Sequence, residues 1–100
     1  MNERKYVIVC NEHSGMFRGT LLFWGSRTED GQERSFGGYT SDIDNCEIYS
    51  ENEVKEKGYH FPKYHDGMTW EEFRGYDDIL IEPEYLEKLG YKQMRVWYKP

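Results

Sequence analysis

Cys10, Glu12 and His13 lie within four positions of one another, and a thiol beside an imidazole is the start of a nucleophilic site. Cys10, however, ends the apolar run Tyr6 to Cys10. That run predicts a buried thiol, and buried thiols are usually inert. Cys46 stands next to Glu47; a neighbouring negative charge raises a thiol's pKa, the wrong direction for a nucleophile. His60 and His65-Asp66 could offer ligands from a loop. Structural zinc sites use four ligands in paired short spacings, which Cys10 and Cys46 do not supply, so no metal and no cofactor is expected. Among the carboxylates, Glu72 is explained as a helix-cap partner and Asp77-Asp78 as a turn. Without a cleft signal, a glycosidase-like pair is not expected, and no catalytic residue is assigned.

The remaining candidates are cations beside aromatics. Arg27 and Arg34 lie in the polar stretch Gly25 to Ser35, between Trp24 and Gly37-Gly38-Tyr39. Guanidinium for phosphate and ring faces for a base are the equipment of nucleotide binding. The competing reading is a solvated loop over a packed Trp-Tyr pair. Unstructured loops of this length tend to be functional, and the paired glycines allow a bulge or close approach by a partner. Trp24, Arg27, Arg34, Gly37, Gly38 and Tyr39 are therefore the expected ligand- or partner-binding surface, with both arginines exposed and replaceable without loss of fold.

Composition bounds the setting. The chain has 100 residues, 37% hydrophobic and 17% aromatic, with a net charge of -6 from 13 basic and 19 acidic residues. This length predicts one domain, residues 1–100, with aromatic bulk offsetting scarce aliphatics. The acidic balance argues against an extended nucleic-acid surface. Two cysteines and no signal-peptide core or membrane-spanning run predict a cytoplasmic protein with no membrane association.

Those residues need elements to hold them. Lys5 to Cys10 and Gly19 to Trp24 read as strands apolar on both faces, paired as an antiparallel hairpin. Gly25 to Ser35 reads as a loop, or as a hairpin extension with its tip at Asp30-Gly31. Phe36 to Thr40 is a third strand weakened by its glycines. Ser50 and Glu53 form a capping box, with Tyr49 and Val54 as its staple, a device contributing about 1 kcal/mol. Gly58 stops that helix. Met68, Thr69, Glu72 and Phe73 repeat the device before Gly75, and the irregular aromatic segment Tyr59 to Gly67 joins the two. Ile79 to Ile81 is a strand or a buried link. Pro83 opens a third helix, Glu84 to Leu89, and the alternating Lys92 to Lys99 is a closing strand. The predicted class is α+β: a small, mostly antiparallel sheet of about four or five strands with two or three short helices on one face.

Phe23-Trp24, Gly38-Tyr39-Thr40, Asp42-Ile43, Cys46 and Tyr49-Ser50-x-x-Glu53 together form a pattern. It resembles a group of small phage and prophage proteins, mainly from bacteriophages of Gram-positive hosts. Their pattern is an aromatic-Trp strand end, Gly-Tyr-Thr, and aromatic-Ser/Thr-x-x-Glu opening a helix. This chain departs from it twice: the loop Gly25 to Ser35 is longer and lacks Pro-Asn character, and Glu47 stands where glycine is common. The resemblance implies a phage source and a small α+β fold. With small size and aromatic excess, it leads to the expectation of a non-enzymatic binding protein. Its target would be a host protein or a small nucleotide-like ligand, and its sharpest form is an anti-defence role. A small hydrolase using histidines and carboxylates, and a virion structural or accessory protein, are the other classes. Spare aromatics also leave room for a homo-oligomer.

Overall fold

The structure is a computed structural model. It describes residues 3–14, 21–93 and 97–98, and only the backbone of residues 13, 14, 92, 93, 97 and 98. Its centre is β1, Val7–Cys10, in which all four side chains are buried. A strand apolar on both faces has to be covered on both. Val7 and Val9 enter a core with Phe23, Ile79, Ile81, Phe73 and Leu86. Ile8, on the opposite face, enters a second core with Tyr6, Tyr49, Val54 and Leu80.

Two strands flank β1, both antiparallel. β2, Phe23–Trp24, pairs through Val9↔Phe23. The expected second strand began at Gly19, and residues 19 and 20 lie outside the described ones. β4, Asp78–Ile81, pairs along the whole of β1 from Val7↔Ile81 to Cys10↔Asp78, so the run Ile79 to Ile81 is a strand. β3, Tyr39–Thr40, pairs with β2 through Trp24↔Tyr39, giving the order β3-β2-β1-β4. Past β4, the segment Pro62 to Tyr64 adds a bridge: Leu80 N–H donates to Pro62 O at 2.9 Å and Tyr64 N–H to Leu80 O at 2.8 Å. This seats Tyr59 and Phe61 against the second core.

The class is α+β, as the sequence predicts, but the helices do not share one face. α2, Glu51–Glu56, buries Val54 on the Ile8 side. α3, Trp70–Arg74, and the 3₁₀ turn Pro83–Leu86 bury Phe73 and Leu86 on the Val7 side. The reason is the doubly apolar β1, which one layer of helices would leave half exposed. The capping box is present in full: Ser50 Oγ accepts from Glu53 N–H at 3.1 Å, and Glu53 Oε1 accepts from Ser50 N–H at 3.0 Å. Thr69 caps α3 by accepting from Glu72 N–H at 3.1 Å. A short helix, α1 (Asn11–Ser14), continues from β1. Buried Asn11 donates from Nδ2 to Phe73 O at 2.8 Å and Tyr76 O at 2.9 Å, filling acceptors that the end of α3 leaves open.

The third helix is a 3₁₀ turn rather than an α-helix over Glu84 to Leu89. The closing strand is also different. β5, Lys92–Gln93, and β6, Trp97–Tyr98, form a separate two-stranded sheet. Residues 94–96, on which the alternation turned, lie outside the described ones. Among the described residues no helix is long and apolar enough to cross a membrane.

Candidate functional site

The loop from Gly25 to Phe36 carries Arg27 and Arg34 of the expected site, and a buried carboxylate holds it. Glu47 is fully buried and accepts hydrogen bonds from all sides. Ser35 N–H donates at 3.0 Å, Ile48 N–H at 3.1 Å and Thr28 N–H at 3.3 Å. The Thr28 hydroxyl donates to the second oxygen, and Arg34 Nη1 donates at 2.9 Å. A buried carboxylate without such partners would cost several kcal/mol, on the order of its desolvation. Burial alone raises the Glu47 pKa, but the bonds from Thr28, Ser35 and Ile48 outweigh it and hold the carboxyl below its usual range.

Arg34 is therefore not an exposed loop cation. It is buried, 8% exposed as a residue, because it neutralises Glu47 and ties its own loop together. Its Nη2 donates to Glu29 O at 2.6 Å and Gln32 O at 3.1 Å, closing the turn around Asp30-Gly31. Arg27 is exposed, yet its guanidinium is engaged as well. Nε donates to Cys46 O at 2.6 Å and Nη2 to Ile43 O at 3.1 Å. The buried Tyr49 hydroxyl donates to Ser35 O, and burial raises its pKa so that it stays a donor. Gly25 is required at the loop's start. Its φ is +79°, and a Cβ there would meet Ser35 O and the Tyr49 hydroxyl at 2.5 Å. The loop is thus pinned from its inner side, while Ser26, Arg27 and residues 29–33 are exposed.

Beside this pinned loop lies an aromatic surface, to which the loop itself contributes Phe36. Trp24 packs edge-on against Tyr39 (5.9 Å between ring centroids), Tyr59 (5.4 Å) and Phe61 (5.4 Å). Tyr59 stacks on Phe61 at 5.1 Å and on Phe36 at 5.5 Å. Trp24, Phe36, Tyr59 and Phe61 are half-buried, and Tyr39 is 49% exposed. Trp24 is oriented by its Nε1, which donates to Asp78 Oδ1 at 3.0 Å across β1. Gly37 and Gly38 lie exposed beside Tyr39, with nothing within 4 Å of a Cβ on either. Gly38 has φ +80°, so backbone conformation, not crowding, accounts for glycine there.

Of the expected site, Trp24, Gly37, Gly38 and Tyr39 come together at this surface, whereas the guanidinium groups of Arg27 and Arg34 are committed to the loop's interior bonds. Phe36, Tyr59 and Phe61 complete the surface. Their signal was in the sequence, since Tyr59 to Pro62 is irregular and aromatic, but nothing local places it against Trp24.

Of the other reactive groups, Cys10 lies beside the Tyr39 side chain and His60 sits between Tyr59 and Phe61 in the chain. Cys46 is buried with Sγ 3.2 Å from Ile43 O, and burial pushes its thiol up to about 11, partly offset by Arg27. The expected direction holds, with burial rather than Glu47 as its main cause. Cys10 is buried too. His60 and His65 are exposed on their segment, while the side chain of His13 lies outside the described residues. Among the described residues no three His, Cys, Asp or Glu side chains gather as a metal site.

No family model matches the chain, and no curated protein and no solved structure is significantly similar to it. What the molecule does has to be read from its own side chains.

Proposed function

We propose that this chain is a non-enzymatic binding protein that docks a partner protein on the face formed by Trp24, Phe36, Tyr39, Tyr59 and Phe61. One observation carries this reading: five aromatic rings in continuous contact, left partly open to solvent on a rigid frame. Contiguous aromatic surface of this kind is characteristic of interface cores, where large rigid rings add contact area at little entropic cost. The nucleotide alternative loses its main support, because the guanidiniums of Arg27 and Arg34 that would grip phosphate are already bonded within the chain. With the phage resemblance, the partner is a host protein met in the cytoplasm, and inhibition of a defence protein is the sharpest form of the proposal. The two buried cysteines, which form no disulfide among the described residues, are compatible with that reducing compartment.

Tyr39→Glu puts a charge on the face at its most exposed ring. A partner retained from cell extract by the immobilised wild-type protein should bind this variant at least about tenfold more weakly; circular dichroism should show the variant folded, with a lowered melting temperature because Tyr39 packs on Trp24 and lies beside Cys10 and Asp78. Equal retention by both proteins would refute the face. Sedimentation of the purified chain shows whether the partner is a second copy.

A further inference from the structure

Arg4, in the segment before β1, reaches two elements at once. Its Nε donates to the two oxygens of Glu53 at 3.0 and 3.1 Å, and Nη2 donates to Glu53 Oε2 at 2.8 Å. Nη1 donates to Asp30 O at 2.8 Å. The guanidinium therefore ties α2 to the tip of the loop. Side-chain bonds carry this attachment alone. Among the described residues the main chain of Glu3 and Arg4 makes no hydrogen bond. The first main-chain anchors are Lys5 and Tyr6, whose N–H groups donate to Tyr49 O at 3.1 and 3.0 Å. Residues 3 and 4 are thus a strap hinged at Lys5.

Glu53 has a second arginine within reach. Arg34 donates through Nη1 to Glu47 and through Nη2 to Glu29 O and Gln32 O, but its buried Nε has no acceptor among the described residues. Buried donors are as a rule bonded, so this one calls for a reason. Glu53 Oε2, the oxygen that Arg4 Nη2 holds, stands 3.9 Å from it. That is about 1 Å beyond bond length.

We infer that Glu53 is a two-position carboxylate and that residues 3 and 4 form a releasable strap. With the strap latched, Glu53 serves Arg4, and Arg34 Nε goes without. With the strap released, Glu53 Oε2 closes on Arg34 Nε. The carboxylate stays paired in both positions, so release leaves no uncompensated charge. The helix start is untouched, because Ser50 N–H donates to the other oxygen, Oε1, at 3.0 Å. The Arg4 and Glu53 side chains are 26% and 23% exposed, so an anionic group arriving from outside competes for the guanidinium and opens the latch. Release frees Asp30 O at one end of a cleft of about 420 Å³ between the loop and α2, with Gln32, Phe36, Glu53 and Lys57 in its walls. Phe36 also stacks on Tyr59, so the strap acts on the flank of the aromatic face. The inference does not depend on what that face binds.

The test is Arg4→Gln in the full chain, read from the hydrogen bond itself. Nuclear magnetic resonance detects a scalar coupling between an arginine Nε and a carboxylate carbon only where a hydrogen bond joins them. The wild-type protein should show this coupling from Glu53 to Arg4 and none to Arg34. In Arg4→Gln it should appear at Arg34, with the Arg34 Nε–H resonance moved downfield, and the variant should remain folded. A second variant, Glu53→Gln, keeps an oxygen for Ser50 and removes the charge. Its loss of melting temperature should be as large in the Arg4→Gln background as in wild type, since the carboxylate has a cation to serve in both. Absence of the coupling at Arg34 in Arg4→Gln would overturn the strap. So would a Glu53→Gln effect that disappears in that background, or failure of Arg4→Gln to fold.

Discussion

Replacing Glu47 with alanine should cost about 3–5 kcal/mol and bring the protein close to unfolding at room temperature. The variant leaves Arg34 buried without its counter-charge and the N–H groups of Ser35, Ile48 and Thr28 without their acceptor. For a domain of this size, the melting temperature should fall by roughly 12 °C or more. Glu47→Gln should cost less, about 1–3 kcal/mol, because the amide keeps one acceptor oxygen but turns a donor toward donors. The charge also sets a pH dependence. Glu47 and Glu53 both have folded-state pKa values below their unfolded ones: burial opposes this, but hydrogen bonds from Thr28, Ser35 and Ile48 to Glu47, and from Arg4 and Ser50 to Glu53, prevail. Groups with depressed pKa stabilise the fold above the unfolded value, near about 4.3, and lose that contribution as pH falls through the folded one. Thermal melts should be level above about pH 5 and decline below about pH 4, and the decline should be shallower in Glu47→Gln. An identical acid profile in both proteins would remove Glu47 from the account.

The second large effect is at Arg34. Arg34→Glu places a second carboxylate against the buried one and should destabilise by about 3 kcal/mol or more, measured by urea unfolding. Arg27→Glu should cost about 1–2 kcal/mol, since it loses two bonds to main-chain carbonyls at an exposed site. From sequence the pair reads as two equivalent surface cations, and a joint charge reversal should leave the fold intact. The structure separates them, and the joint variant should not fold stably. Comparable mild costs at both positions would show that Arg34 is not buried against Glu47.

Short-range devices were legible and long-range ones were not. Ser50 with Glu53, and Thr69 with Glu72, are three-residue signals whose physics is complete within one turn, so the starts of α2 and α3 could be placed. The doubly apolar alternation of Val7 to Cys10 also implied cover on both faces, and placing the helices on one face ignored that implication. The alternation from Lys92 was ambiguous in a different way, because period-two patterning does not distinguish one strand from the two arms of a hairpin. Arg34 and Glu47 are 13 positions apart, and nothing in either neighbourhood announces the other. The structure joins them: Glu47 holds the loop through Thr28, Arg34 and Ser35. Two of the five rings of the aromatic face were legible: Trp24 and Tyr39 flank one predicted loop and pair across β2 and β3, whereas Tyr59 and Phe61 reach them only through the bridge of Pro62 to Tyr64 with β4.

The loop from Gly25 to Phe36 is a rigid wall that joins the aromatic surface through Phe36. Amide hydrogen exchange on the unmodified protein tests this most directly, because the anchoring donors are individual N–H groups. Ser35 and Ile48, which donate to Glu47, should exchange as slowly as Ile8 and Val9 in β1, opening only with global unfolding. Exchange of Ser35 and Ile48 at open-loop rates, while Ile8 and Val9 stay protected, would contradict it.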